Sequence, residues 1–218
     1  MIGQNLNIQQ RAYIDNDSYQ DEWWIDSMMP ISGSELSYRP NLWKGTIESG
    51  TNCYAYALNA QVDPKTGAYM WLNPGSLAGL PFDENKITPS VIQTYIEEDA
   101  KASGFCFEKV ERDTICASGT YKVALFIDPE YDHHWYRQDS DGFWSHKLSS
   151  NPVSDKDASG CPIFDPVRAD RDYSGLFDKG PNYSEFVGYF AVTPLNYWAS
   201  SSNNSSGDNM LPSRRIGK

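Results

Sequence analysis

The alternation of apolar and polar positions divides the chain into a polar opening, two helical stretches and a strand-rich second half. The best-marked helix follows Thr88. Pro89 stands at the first helical position, Val91, Ile92, Tyr95 and Ile96 recur at helical spacing, and Gly104 supplies the stop. An earlier Ala-rich stretch, from Cys53 to about Gln61, follows the capping residues Thr51 and Asn52 and ends before Pro64. Beyond Gly104 the period changes. Phe105 to Val110, Tyr121 to Asp128 and Phe186 to Val192 read as strands, the last two of the buried kind. His133 to Gln138 and Phe143 to Lys147 flank Asp139-Ser140-Asp141-Gly142, a hairpin in which Gly142 suits a positive φ. Asp63 to Asn85 and Ser149 to Asn182 are rich in Pro, Gly, Asp and Ser and read as loops; one as long as the second is usually functional. Helices followed by antiparallel strands give an α+β fold. The expected organisation is an irregular segment over 1–47 wrapping a domain over 48–199, with a disordered Ser/Asn-rich tail over 200–218.

Composition and charge narrow the class. With 39% hydrophobic and 22% charged residues, 218 residues suffice for one sizeable core. A formal charge of −11 repels phosphate backbones, so nucleic acid is not the expected partner. No apolar run reaches membrane-spanning length, and the first residues carry neither a basic leader nor an apolar core, so no membrane partner or secretory signal is expected. The four cysteines, Cys53, Cys106, Cys116 and Cys161, are too sparse for a disulfide scaffold and form no CxxC pair. A reducing compartment is the simpler expectation, as for an intracellular protein or a translocated bacterial effector. No cofactor is expected, and the oligomeric state is open.

The candidate chemistry lies in Gly50-Thr51-Asn52-Cys53-Tyr54-Ala55-Tyr56-Ala57. Cys53 sits at a helix start, where unpaired amides and the helix dipole favour thiolate. All three histidines, His133, His134 and His146, lie in the hairpin. Thiol-dependent acyl transfer needs such an imidazole, a group to orient it, and donors for the oxyanion, among them the Cys53 amide. Alternation puts His133 and His134 on opposite faces of one strand, so one alone can face Cys53. His134 is the expected base, with Asp132 and His133 read as the entry to the strand. A three-residue turn would put His134 and His146 on one face, and a two-residue turn would not. Asp165, in Phe164-Asp165-Pro166, is a candidate third member, and equally a turn initiator before Pro166. The plain alternative for Cys53 is a small side chain packing a helix.

Over residues 48–150 this order resembles the papain-like superfamily, most nearly its NlpC-type and CHAP-type amidases and peptidases. The nucleophile opens a helix, as in Asn52-Cys53-Tyr54-Ala55, and a His begins a later strand, as in His134-Trp135-Tyr136. In the NlpC-type branch a second His follows about a hairpin later, the place that His146 would occupy. Asn52 stands where those families usually carry Asp before the nucleophile. The resemblance implies a Cys-bearing helix packed on a His-bearing antiparallel sheet. It also implies a cysteine peptidase or amidase, or a transglutaminase-like acyl transferase, acting on a protein or peptide through a thioester. Two other functions compete: a zinc centre built from Cys53 and the histidines, and a non-catalytic interaction module on the same scaffold.

Overall fold

In the computed structural model of the protein, residues 28–129, 131–175 and 180–199 are described. The expected tail and most of the polar opening lie outside them. Three α-helices, α1 (Thr46–Gly50), α2 (Cys53–Ala57) and α3 (Pro89–Ser103), precede six strands. These are β1 (Phe107–Val110), β2 (Tyr121–Asp128), β3 (Asp132–Gln138), β4 (Trp144–Lys147), β5 (Val153–Ser154) and β6 (Glu185–Val192). The strands form one sheet in the order β1-β6-β2-β3-β4-β5, and every neighbouring pair is antiparallel. The fold is α+β.

Local chemistry explains the boundaries. The Thr88 hydroxyl accepts from the Val91 amide, Pro89 opens α3, and Gly104 closes it in the left-handed region at φ +72. Helix α2 is shorter than expected, ending at Ala57 rather than near Gln61. Asn59 adopts φ +57 and turns the chain out of the helix. The β3–β4 hairpin closes through the Asp139 amide on the Phe143 carbonyl, leaving the three-residue turn Ser140-Asp141-Gly142 with Gly142 at φ +84. Tyr136 therefore stands opposite His146, and Gln138 opposite Trp144. Strand β1 starts at Phe107 rather than Phe105.

The two faces of the sheet bury different layers. On one, α2 and α3 cover Val123, Leu125, Ile127, Trp135 and Phe190. On the other, Ala124, Phe126, Tyr136, Trp144 and Tyr189 pack against Ile163, Tyr173 and Tyr183 of the long loop after β5. The loop thus has a structural task as the lid of the second core layer. Strand β2, buried along nearly its whole length, is the shared floor.

Candidate functional site

Helix α2 meets β3 residue by residue. Cys53 faces His133, the Tyr54 ring stacks on Trp135 with centroids 5.1 Å apart, and Tyr56 meets Arg137. These three strand residues share one face by alternation, so α2 lies along β3 with its N-terminus at the strand's beginning. Arg137 fixes the far end. Its guanidinium lies 4.1 Å over the Tyr56 ring, donates to the Tyr56 hydroxyl at 2.7 Å, and pairs with the buried Asp139 carboxylate at 3.0 Å.

Asn52 fixes the near end. Its side-chain oxygen accepts from the Ala55 amide and from the Leu72 amide, while its NH2 group donates to the Leu72 carbonyl at 2.7 Å. One residue thus caps α2 and ties it to the Asp63–Asn85 loop. An Asp here could not make the last of these bonds, because a carboxylate only accepts. The same loop is held from beneath by buried Asp99, which accepts from the Gly75 and Ala78 amides and from the Tyr54 hydroxyl. Lys147, also buried, donates to the carbonyls of Glu48, Thr51 and Ser149 at 2.6, 2.8 and 2.7 Å. All three ammonium protons are used. Burial lowers its pKa to about 8, and its charge favours an anion on Cys53.

Cys53 Sγ lies 3.9 Å from His133 Nδ1 and 3.7 Å from the His133 carbonyl oxygen. The amides of Trp135 and Tyr54 also point at the sulfur. Both residues border a cleft of about 190 Å³, walled by Asn52, Trp71, Asn73, Phe82, Glu84, Tyr131, Asp132, His134 and Tyr183. The Phe82 ring meets the His133 imidazole edge-on. Asp132, on the same wall, accepts from the His133 amide and the Tyr183 hydroxyl, both at 2.7 Å.

His133, not the expected His134, is the imidazole that faces the sulfur. His134 lies on the opposite face of β3, stacked on Tyr183, with Nε2 2.8 Å from His146 Nδ1. His146 Nε2 lies 2.9 Å from the Lys156 carbonyl, so that nitrogen carries a proton. Proton by proton, His146 Nδ1 then accepts from His134 Nε2, and His134 Nδ1 is left as a bare, buried acceptor without a partner. His146 thus shares a face with His134, as a three-residue turn requires, and both turn away from Cys53. Asp165 does not join the site either. It accepts from the Tyr189 hydroxyl, the Val167 amide and Arg112, and belongs to a separate recess on the long loop. Its carbonyl begins the turn to Arg168 and Ala169, which is the turn-initiator role.

The expectation of a resting thiolate is corrected as well. Burial pushes the Cys53 thiol well above its ordinary range, Asp132 adds to the rise, and the Trp135 and Tyr54 amides with Lys147 offset only part of it. Helix α2 has five residues, too few for a large dipole to overcome that desolvation. Burial also lowers His133, so the resting pair is neutral thiol and neutral imidazole. Chemically, such a pair can transfer a proton from sulfur to Nδ1 as the sulfur attacks a carbonyl.

Sequence reasoning passed over His133, Asp132 and Lys147. Trp135 carried the available signal: a large residue packing under α2 sets the face, and His133 shares it by alternation. Nothing in the sequence marked Lys147. The proposed zinc set does not assemble, since among the described residues no three His, Cys, Asp or Glu side chains are grouped to hold an ion. The other cysteines are unpaired: Cys106 half-buried, Cys116 buried and Cys161 exposed.

The three buried histidines make stability depend on pH. Each has a folded pKa below the unfolded value of 6.5, that of His146 at about 4. Below pH 6.5 the unfolded chain binds protons that the folded chain refuses, so their contribution is complete above pH 6.5 and lost towards pH 4. His146 alone contributes on the order of 3 kcal/mol across that window. Asp99, whose carboxyl burial raises, works in the opposite sense at the acid end. Urea midpoints at pH 7 and pH 5 should show clear destabilisation at pH 5; equal midpoints would contradict the buried, neutral histidines.

Among the described residues, no helix is long and apolar enough to cross a membrane. No family model matches the chain, and no solved structure matches it significantly. A curated relative does: insoluble matrix shell protein 1 of Ruditapes philippinarum is 32% identical over 158 residues, spanning 72% of this chain and 90% of the relative. At that identity, over nearly the whole of the relative, the chain belongs to the family of insoluble matrix shell protein 1.

Proposed function

We propose that the protein is a papain-like cysteine hydrolase or acyl transferase, acting on an amide or peptide bond at the Cys53 cleft. The observation that carries this reading is Cys53 Sγ placed 3.9 Å from His133 Nδ1 where both border the cleft. As the sulfur bonds to the carbonyl carbon, its proton passes to Nδ1. On this reading the Cys53 amide, at the first position of α2, donates to the oxyanion. Collapse of the tetrahedral adduct breaks the C–N bond, and the imidazolium returns its proton to the departing amine. Water or an acceptor amine then cleaves the thioester. Asn52, Arg137 and Lys147 hold the helix tip in place, and Phe82 limits rotation of the His133 ring.

A second reading has its own support. The relative's name describes a component of an insoluble shell matrix, and the Cys53 sulfur already engages the His133 carbonyl and the Trp135 amide at the edge of β3. On that reading Cys53 is a structural tie between helix and sheet, and the protein is a non-catalytic matrix component.

Acylation separates the two. Incubated with p-nitrophenyl acetate, the protein should gain one acetyl group by intact mass, mapping to Cys53 and absent from a Cys53→Ala variant. A protein that gains none, or gains it at exposed Cys161, would favour the structural tie.

A further inference from the structure

The walls of the cleft carry charge of one sign. Glu84 rises from the short 3-10 turn Glu84–Lys86, and Asp132 opens β3; both border the cavity, and among the described residues no Lys or Arg does. Bonds from the His133 amide and the Tyr183 hydroxyl hold the Asp132 carboxylate in place. Lys86, the nearest cation along the chain, is turned to Asp83 at 2.9 Å. Two half-exposed aromatic rings stand at the rim, Trp71 at 47% and Tyr131 at 54% exposure. His133, only 3% exposed, borders the same space. Carboxylates beside aromatic faces attract a cation twice, by charge and by the ring quadrupole. The overall charge of −11 steers cations towards the molecule.

We propose that the Cys53 cleft receives a cationic side chain, the alkylammonium of a lysine in a basic polypeptide, held between Glu84, Asp132 and the Trp71 ring. This deepens the acyl-transfer reading and rests on it for the cleft's being a substrate site. A lysine there is either part of the acyl donor or the amine that accepts the acyl group.

The test uses the full chain carrying Cys53→Ala, so that nothing turns over. It is titrated calorimetrically at low salt with acetyl-Gly-Gly-Lys-Gly-Gly-amide and with the same peptide bearing norleucine or glutamate. The lysine peptide should bind, added Glu84→Gln should weaken it about tenfold, and 0.5 M salt should weaken it by a similar factor. Glu84 is exposed, so that substitution leaves the fold intact. A Trp71→Leu change should weaken binding about fivefold. Equal binding of the norleucine or glutamate peptide, no binding of the lysine peptide, or no effect of Glu84→Gln would overturn the assignment. Acetylation of wild-type Cys53 reports separately: acetylation without lysine binding removes only the ligand class, and lysine binding without acetylation removes the thiol chemistry.

Discussion

Replacing His133 with Ala is expected to lower acyl transfer at Cys53 by about 10²–10⁴-fold, the range lost when a positioned general base is removed. The loss should fall mainly on the rate of acylation, because in the proposed mechanism His133, 3.9 Å from the sulfur, takes its proton as the sulfur bonds to carbon. His134→Ala should behave in the opposite way. That ring touches Tyr183 and His146 on the far side of β3, so its loss opens a cavity and leaves His146 Nδ1 without its donor. It should cost about 2–4 kcal/mol of stability while the folded fraction keeps its activity. Acetylation rates of the two variants, corrected for folded fraction by circular dichroism, check both statements. If His134→Ala removes activity and His133→Ala does not, the site has been assigned to the wrong face.

The largest effect on stability is expected at Asp139. Arg137 and Asp139 are 2% and 0% exposed, and the guanidinium also donates to the Tyr56 hydroxyl. Asp139→Ala leaves a buried cation short of its counter-charge, which should cost about 3–5 kcal/mol. Replacing both members, as Arg137→Met with Asp139→Ala, should cost less than the sum of the single changes, because no unpaired charge remains. Urea unfolding of the four members of the cycle measures this. Additive losses would show that the pair does not act as a unit. The consequence reaches the site, since Arg137 holds Tyr56, and Tyr56 fixes the helix whose first residue is Cys53.

Much of this was legible in the residues. Thr88, Pro89 and Gly104 bounded α3 because caps and stops act locally. The hairpin was legible from Asp139 to Gly142, although only the backbone could choose a three-residue turn. That Cys53 would open a helix was legible from Asn52, which does cap it. Two things were not. The choice between His133 and His134 depends on which face of β3 receives α2, and that follows from where Trp135 and Arg137 pack, a tertiary matter. The ionisation of Cys53 was read from the helix terminus alone, whereas burial beneath the Asp63–Asn85 loop outweighs a five-residue dipole. Buried Lys147 carried no signal at all, since an isolated Lys after His146 looks like any solvated strand end.

The family assignment sets a context without fixing a reaction. A relative named for an insoluble matrix is compatible with a protein that joins or trims other polypeptides, and equally with one that only packs among them. Chemistry at one sulfur decides between the two. Limiting iodoacetamide at pH 7, followed by mass-spectrometric mapping, compares Cys53, 5% exposed and beside an imidazole, with Cys161, exposed and remote from the cleft. Burial keeps Cys53 protonated and slow beside Cys161, but His133 assists it, so His133→Ala should slow Cys53 labelling further while leaving Cys161 unchanged. Equal Cys53 labelling rates in the two proteins would contradict a reactive pair.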